Sequence, residues 1–371
     1  MAHRIDFSRG FAALAYRGET PWHGLGQRMQ PGASLDDWQT AAGMDYRICR
    51  AVVRFATARD GAGNPMDLRT MADRIVNFRS DTKAPLAVVS DEYEPVQPRE
   101  CLEFFRDLSE AMGFQLETAG VLFGGRRYWA LARVTSDVAI RDPADKVGGF
   151  CLISTSADGS LATSARFTTV RVVCNNTLSL AAGKNAKRAE FTLTHRAKFD
   201  ADAAKAALGI LRPDETREQF AASMELFRRM AATPLGGFDM ADLTLRAFGY
   251  KPEEMSAKEL TEAADRRAVK AVGTMAATGR GLAGGRLAGA GATAWGWLNS
   301  VTQYVDHHAQ ARSRDNRLDS AWNGKGDNLK RRALELVTER VGAAPVISTT
   351  YQNEVADSGV LSSVLASTLT A

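Results

Sequence analysis

DGSLATSARFTTVRVVCNNTLSLAA, residues 158 to 182, is the densest run of chemically distinctive residues in the chain, and its reading decides how the first half folds. Asp158-Gly159 is a turn signal. Leu161 to Phe167 is short, part β-branched and bounded by that turn, which predicts a strand entering from a hairpin. Beyond it the period changes: Val170, Val173, Cys174, Thr177, Leu178 and Ala181 recur at the spacing of an amphipathic helix, with Thr168 or Thr169 as N-cap and Gly183 just past the end. The β-branched run Thr168, Thr169, Val170, Val172 and Val173 suits a continuing strand instead. In the helical reading Arg166 and Arg171 flank a helix N-terminus, where free N–H groups and the dipole favour an anion the size of a phosphate. The stretch reads as a binding surface and not as a reaction centre.

The flanks extend the same pattern. Val147 to Ser156 pairs with Leu161 to Phe167 through Asp158-Gly159, and Phe114 to Phe123 pairs with Arg126 to Val134 through Gly124-Gly125, so two hairpins are expected. Glu190 to His195 is a further strand. Upstream, Ser34 caps a short helix that stops at Gly43, and Pro98 opens one whose apolar positions Leu102, Phe105, Leu108 and Met112 run to Gly113. Strand-like runs lie at Tyr46 to Phe55, Arg74 to Phe78 and Leu86 to Val89. Residues 1–33 read as an irregular arm. Its TPWHGLG turn lacks the preceding strand and the Gly-Lys-Ser/Thr of a phosphate loop.

After about residue 200 the composition turns to Ala, Leu, Glu, Arg and Lys at helical spacing. Helices are expected at Asp202 to Met230, Met240 to Phe248, Ser256 to Ala277, Ala294 to about Arg314, and Asp327 to Arg340. Six glycines between 279 and 291 have the composition of a flexible linker, and the last thirty residues, rich in Ser, Thr, Ala and Val, that of a poorly ordered tail. The expected organisation is an α+β domain over 34–200, mainly antiparallel hairpins with helices. A helical region follows over 201–278, then a linker over 279–292. A second helical region over 293–341 packs back on the first domain, and the tail covers 342–371.

At 371 residues, 45% hydrophobic and 24% charged, the chain has the composition of a globular protein with room for two cores. No apolar run approaches the ~20 residues that cross a bilayer, and the N-terminus lacks the order of a signal peptide, so a cytoplasmic place is expected. The four cysteines lie far apart without metal-ligand spacing and read as reduced core thiols, so neither a metal nor a cofactor is expected. The net charge of +4 is mild, and any nucleic-acid reading rests on where the charge sits.

It sits in two clusters. Arg166, Arg171, Lys184, Lys187, Arg188, Arg196 and Lys198 face only Glu190 over the same span, with Asn175 and Asn176 among them as polar side chains poorly suited to a helix interior. Arg312, Arg314, Arg317, Lys325, Lys330, Arg331 and Arg332 form the second, with Trp322 interleaved for base stacking. The bland alternative is a solvated basic face. Asp306-His307-His308 lacks the i, i+3 or i, i+4 spacing of two helical metal ligands, whereas Asn299, Thr302, Gln303, Asp306 and His307 form one polar stripe, read as a hydrogen-bond network docking the helix on the first domain. Cys174 falls on the apolar stripe, where a buried thiol is the ordinary occupant and a nucleophile with His195 as base the exceptional one.

Three motifs, PWHGLG near the start, TVRVVCNNTL in the middle and WGWLNSVTQYVDHH at Trp295 to His308, together resemble the phage/plasmid-like protein family, found on phages, plasmids and laterally transferred islands. Its shared region is a domain of unknown function, number 932. The resemblance covers roughly residues 20 to 340 and marks Trp22, His23, Gly24, Arg171, Val172, Cys174, Asn175, Asn176, Thr177, Trp295, Asn299, Tyr304, Asp306 and His307 as motif positions, with no activity attached. The family motif usually reads Asn-Ala-Val-Thr-Glu-Tyr where this chain has Ser300 and Gln303. Hairpin, hairpin, helix is also, by analogy alone, the layout of single-strand annealing proteins. The expectation is a nucleic-acid-binding protein of a mobile element that holds single-stranded DNA through a basic groove and forms homo-oligomers. The alternatives are an enzyme acting on nucleotides or nucleic acid at Arg166, Arg171, Asn175, Asp306 and His307, and a structural interaction protein.

Overall fold

The computed structural model describes residues 5–18, 24–171, 176–179, 190–196, 198–207, 213–309, 320–322 and 324–342. The fold is α+β and divides into two compact units that interleave along the chain. Unit 1 comprises Met1–Val134, Phe150–Phe167 and Arg188–Pro213, and unit 2 comprises Thr135–Gly149, Thr168–Lys187 and Asp214–Ala371. This differs from the sequential boundary expected near residue 200.

Unit 1 is built on an antiparallel sheet. Strands β1 (Leu14–Tyr16), β6 (Gln115–Leu122), β7 (Arg127–Arg133), β9 (Lys146–Ser156, in unit 1 from Phe150) and β10 (Thr163–Arg171, in unit 1 as far as Phe167) follow one another across it, with β2 (Gln27–Arg28) parallel to β1 and β12 (Glu190–Leu193) on the first half of β10; β8 (Val138–Ala139) pairs with the start of β9 in unit 2. Both expected hairpins are present, turning at Phe123–Gly125 and at Asp158-Gly159. Helix α1 (Leu35–Ala41) starts in a capping box in which Ser34 and Asp37 satisfy each other's backbone N–H, and α2 (Pro98–Met112) starts at its proline. Helix α2 packs on β6 and β7, burying Cys101, Leu102, Phe104 and Phe105. Burial pushes the thiols of Cys101 and Cys151 up, as expected of inert core cysteines. Cys174 lies outside the described residues.

A second sheet in unit 1 joins β3 (Ile48–Arg59), β4 (Pro65–Arg79) and β5 (Pro85–Ser90), all antiparallel. Its base is fastened twice. Asn77 donates to the Ala157 carbonyl at 2.9 Å, and the fully buried Arg79 pairs with Asp6 and Asp81 while lying 4.0 Å over the Tyr46 ring. Beyond the base, β3 and β4 continue alone as a two-stranded ribbon, solvent-exposed on both faces.

Unit 2 is mostly helical: α4 (Pro213–Ala232), α5 (Gly237–Ala247), α6 (Ala257–Ala264), α7 (Arg267–Thr278), α8 (Ala294–Gln303) and α9 (Lys325–Gly342), whereas α3 (Ala201–Ala207) lies in unit 1. The helix expected over Ser256 to Ala277 is divided around Arg266, and of the one expected over Asp202 to Met230 the described parts are α3 and α4. Every residue of α8 is buried, as a helix apolar around most of its circumference must be, and Trp297 at its centre donates to Thr244 Oγ1 at 3.0 Å. Helix α8 packs between α7 and α9. It is shorter than expected, because Tyr304–His308 winds as a π-helix and the helical path ends at Ala309.

Two expectations are corrected. Residues 168–171 are not the start of a helix: β10 runs through Arg171, its last four residues pair with β11 (Asn176–Ser179), and the β-branched residues fix the outcome. The glycine-rich stretch after α7 is not a linker either. It is a chain of tight turns, with hydrogen bonds from Leu282 to Gly279, Gly285 to Leu282, Leu287 to Gly284 and Ala290 to Leu287, and it buries Leu282 and Ala290. Gly296 lets α8 lie against it. A Cβ there would sit 1.9 Å from the Gly291 carbonyl oxygen.

Candidate nucleic-acid interface

Several described members of the two expected basic clusters are buried and ion-paired. In unit 1, Arg166 is 4% exposed, on a strand position opposite Glu190. In unit 2, Arg171 is 2% exposed and gripped by Asp145, with Nε to Oδ1 at 2.6 Å and Nη2 to Oδ2 at 2.9 Å. Its remaining amino group donates to the Ala283 carbonyl at 2.9 Å, and Trp295 Nε1 donates to the same Asp145 carboxylate at 2.9 Å. A bidentate guanidinium–carboxylate pair of this kind leaves Arg171 unable to serve as a surface phosphate ligand. The helix N-terminus it was expected to flank does not exist. Asn175, Lys184, Lys187, Arg188 and Arg314 lie outside the described residues; Asn176 opens β11 opposite Arg171. Lys330 is 1% exposed and pairs with Asp306 at 2.9 Å, while Arg331 pairs with Asp327 at 2.8 Å. Of the described cluster members, Arg196 and Lys198 in unit 1 and Lys325 and Arg332 in unit 2 are exposed.

The polar stripe of the third motif is a hydrogen-bond network within unit 2. Gln303 Oε1 accepts from the Ala283 backbone N–H at 2.8 Å and its amide donates to the Gly281 carbonyl, so one side chain fixes the glycine-rich turns. Asn299 donates back to the Trp295 carbonyl at 2.8 Å, and Asp306 takes Lys330. His307 is half-buried on the π-helical turn. These partners of the stripe lie in unit 2, and α8 also packs on β11, which falls within the 34–200 span the helix was expected to dock on. Two family motifs, around Arg171 and around Trp295, therefore meet in one buried lattice centred on Asp145. Sequence reading missed Asp145 because a lone aspartate in RDPADKVG carries no local sign of its partner 26 residues away.

His195, once considered as a base, lies in unit 1 with Nδ1 3.1 Å from the Glu94 carbonyl oxygen and Nε2 3.0 Å from that of Leu161. Its ring stacks on Tyr93 at 4.6 Å; burial pushes the Tyr93 hydroxyl up to about 12. Both ring nitrogens are engaged with main chain, an arrangement that fixes a turn.

The feature that sequence reading did not anticipate is the β3–β4 ribbon. From Ala51 to Arg74 every residue is exposed except the half-buried Val53 and Ala56. Seven residues of β3, from Val53 to Arg59, carry it about 20 Å beyond the sheet, at the usual rise of a strand. Five arginines stand on it or at its foot, Arg50, Arg54, Arg59, Arg69 and Arg74, together with exposed Phe55, Met66, Leu68 and Met71. Its three aspartates are largely spent on local structure. Asp60 accepts from the Ala62 and Asn64 backbone N–H groups at 2.9 and 2.8 Å, with the Asn64 side chain first among the hydrogen bonds that hold its carboxyl below the usual range. Asp67 takes Thr57 and Arg69, and Asp73 lies 3.5 Å from Arg74. At the foot, Arg50 reaches Glu94 at 3.2 Å, and Glu94 N–H donates to the His195 carbonyl at 2.8 Å, so exposed Arg196 and Lys198 follow directly on. The legible signal was Asp-Gly-Ala-Gly-Asn-Pro at residues 60 to 65, a turn between two arginine-bearing runs.

Among the described residues no group of His, Cys, Asp and Glu side chains has the arrangement of a metal site, and no helix is long and apolar enough to cross a membrane. A family model described as Domain of unknown function (DUF932) matches residues 85–322. No curated protein and no solved structure matches the chain.

Proposed function

The chain belongs to the DUF932 family, and on that footing we propose that it is a nucleic-acid-binding protein, holding single-stranded DNA without sequence readout in the replication or recombination of a phage, plasmid or other mobile element. The observation that supports this reading is the exposed arginine row of the β3–β4 ribbon, continued at its foot by Arg196 and Lys198. Guanidinium groups spaced along an extended arm neutralise successive phosphates and release their counterions, which gives affinity without base specificity. The test is the fluorescence anisotropy of a labelled oligo-dT strand and of a duplex at two salt concentrations, for wild type and for Arg54→Ala/Arg69→Ala/Arg74→Ala. Binding that weakens with salt, with a slope shallower by about two in the triple variant, is the expected result. An absence of binding at low salt, or a slope unchanged in the folded variant, rejects the reading.

One observation favours the alternative of an enzyme acting on nucleotides: the π-helical turn at Tyr304–His308, since π-turns interrupt helices mostly at functional positions. Incubation with nucleoside triphosphates and with oligonucleotides, followed by product analysis, decides it; the binding reading expects no turnover.

A further inference from the structure

The strand register sorts the ribbon's side chains onto two faces. Cross-strand neighbours Val53 and Met71, then Phe55 and Arg69, then Arg59 and Pro65 mark one face. The neighbours Arg54 and Thr70, Ala56 and Leu68, and Ala58 and Met66 mark the other. The first face therefore combines an aromatic ring, a thioether and two guanidinium groups within a few strand positions, with the Asp67 carboxylate on Arg69 among them. Phe55 is 50% exposed and Met71 43%, although both are large enough to be buried in a core at a substantial gain. Phe55 stands diagonally beside Met71 and directly across from Arg69.

We propose that this face is a base-stacking platform for single-stranded nucleic acid, in which Phe55 and Met71 take the flat faces of unpaired bases while Arg59 and Arg69 hold the phosphates on either side. The proposal rests on the nucleic-acid reading above and adds to it the form of the ligand. A duplex hides the faces of its bases within its own stack and offers this surface only phosphates, whereas a single strand presents a π-face and an anion at every nucleotide. Arg59 and Arg69 stand on this face against the single carboxylate of Asp67, which pairs with Arg69, and the remaining positive charge beside an exposed ring suits a polyanion with bases as the occupant. On the opposite face the one cation, Arg54, stands among Ala56, Ala58, Met66 and Leu68 with no aromatic ring.

The experiment compares oligo-dT with inorganic polyphosphate, a polyanion without bases, as ligands for the full-length protein and its Phe55→Ala, Phe55→Trp and Arg59→Ala/Arg69→Ala variants, with sedimentation of each to record its oligomeric state. Because Phe55 lies on an exposed strand, the variants are expected to fold. Phe55→Ala should weaken oligo-dT binding roughly tenfold with its salt slope unchanged, leave polyphosphate untouched, and be rescued by Phe55→Trp. The double arginine variant should weaken both ligands and flatten the salt dependence. Oligo-dT binding that is salt-dependent but identical in wild type and Phe55→Ala overturns the platform and leaves the nucleic-acid reading standing. Failure of the wild type to bind oligo-dT removes the reading beneath it. Equal loss of both ligands in Phe55→Ala, or a change of oligomeric state in that variant, also overturns the proposal, the latter by assigning the face to a second copy of the chain.

Discussion

The carboxylate of Asp145 holds the guanidinium of Arg171 in two parallel hydrogen bonds, and the indole of Trp295 closes on the same carboxylate from α8. Two segments that a sequence alignment would mark as separate motifs thus share one anion as their fixed point. Arg171 contributes its charge to folding, where a surface reading would have assigned it to a ligand.

Arg171→Ala therefore leaves an aspartate buried with its main cation removed. The expected cost is about 3 kcal/mol or more, read as a lower denaturant midpoint, with the slope of DNA binding against salt unchanged. A variant of wild-type stability that has lost DNA affinity would return Arg171 to the surface role first expected of it.

The Gln303 amide supplies both a donor and an acceptor to the glycine-rich turns. Gln303→Ala strands the Ala283 N–H and the Gly281 carbonyl, at roughly 1 to 3 kcal/mol, and limited proteolysis should open between residues 279 and 291. Gln303→Glu keeps an acceptor for Ala283 but cannot donate to Gly281 when ionised. It should fall between wild type and alanine in both assays.

The Arg79 guanidinium, hydrogen-bonded to Asp81, pulls that carboxyl down to about 2 from an ordinary value near 3.8. A group with a depressed folded value gives stability that is present above its unfolded value and lost as pH falls through the folded one. The contribution should therefore disappear between about pH 4 and pH 2. Asp81→Asn should flatten that part of the stability profile while leaving Arg79 paired with Asp6. Thermal melts across this range, for the wild type and the variant, check it.

Gly296 has no room for a side chain, since a Cβ would lie within covalent-like distance of the Gly291 carbonyl oxygen, which belongs to backbone and cannot swing aside. Gly296→Ala should destabilise by about 3 kcal/mol through displacement of α8 from the turns, even though alanine is the better helix former. An unchanged melting temperature would show that the loop can yield.

What was legible in the sequence was punctuation. Ser34 with Asp37, Pro98, Gly124-Gly125 and Asp158-Gly159 each fix local backbone geometry by their own chemistry, and each start or turn was found where expected. The misread region was β10. Its residues are buried on both faces, so the alternation that identifies a half-exposed strand is absent, and apolar positions on two faces mimic a helical stripe. The ribbon was hidden for the opposite reason. It is exposed on both faces, so neither period is enforced by a core. The burial of Arg171 and Lys330 was invisible because it depends on carboxylates remote in sequence, Asp145 and Asp306.

The interleaving of the two units also bears on inheritance. Each is assembled from three separate stretches of chain, and the polypeptide passes between them five times. A single crossover inside the coding sequence cannot exchange one unit and leave the other intact, and no contiguous fragment contains either unit without part of its neighbour. Both are therefore bound to travel as one gene and to accumulate substitutions in step.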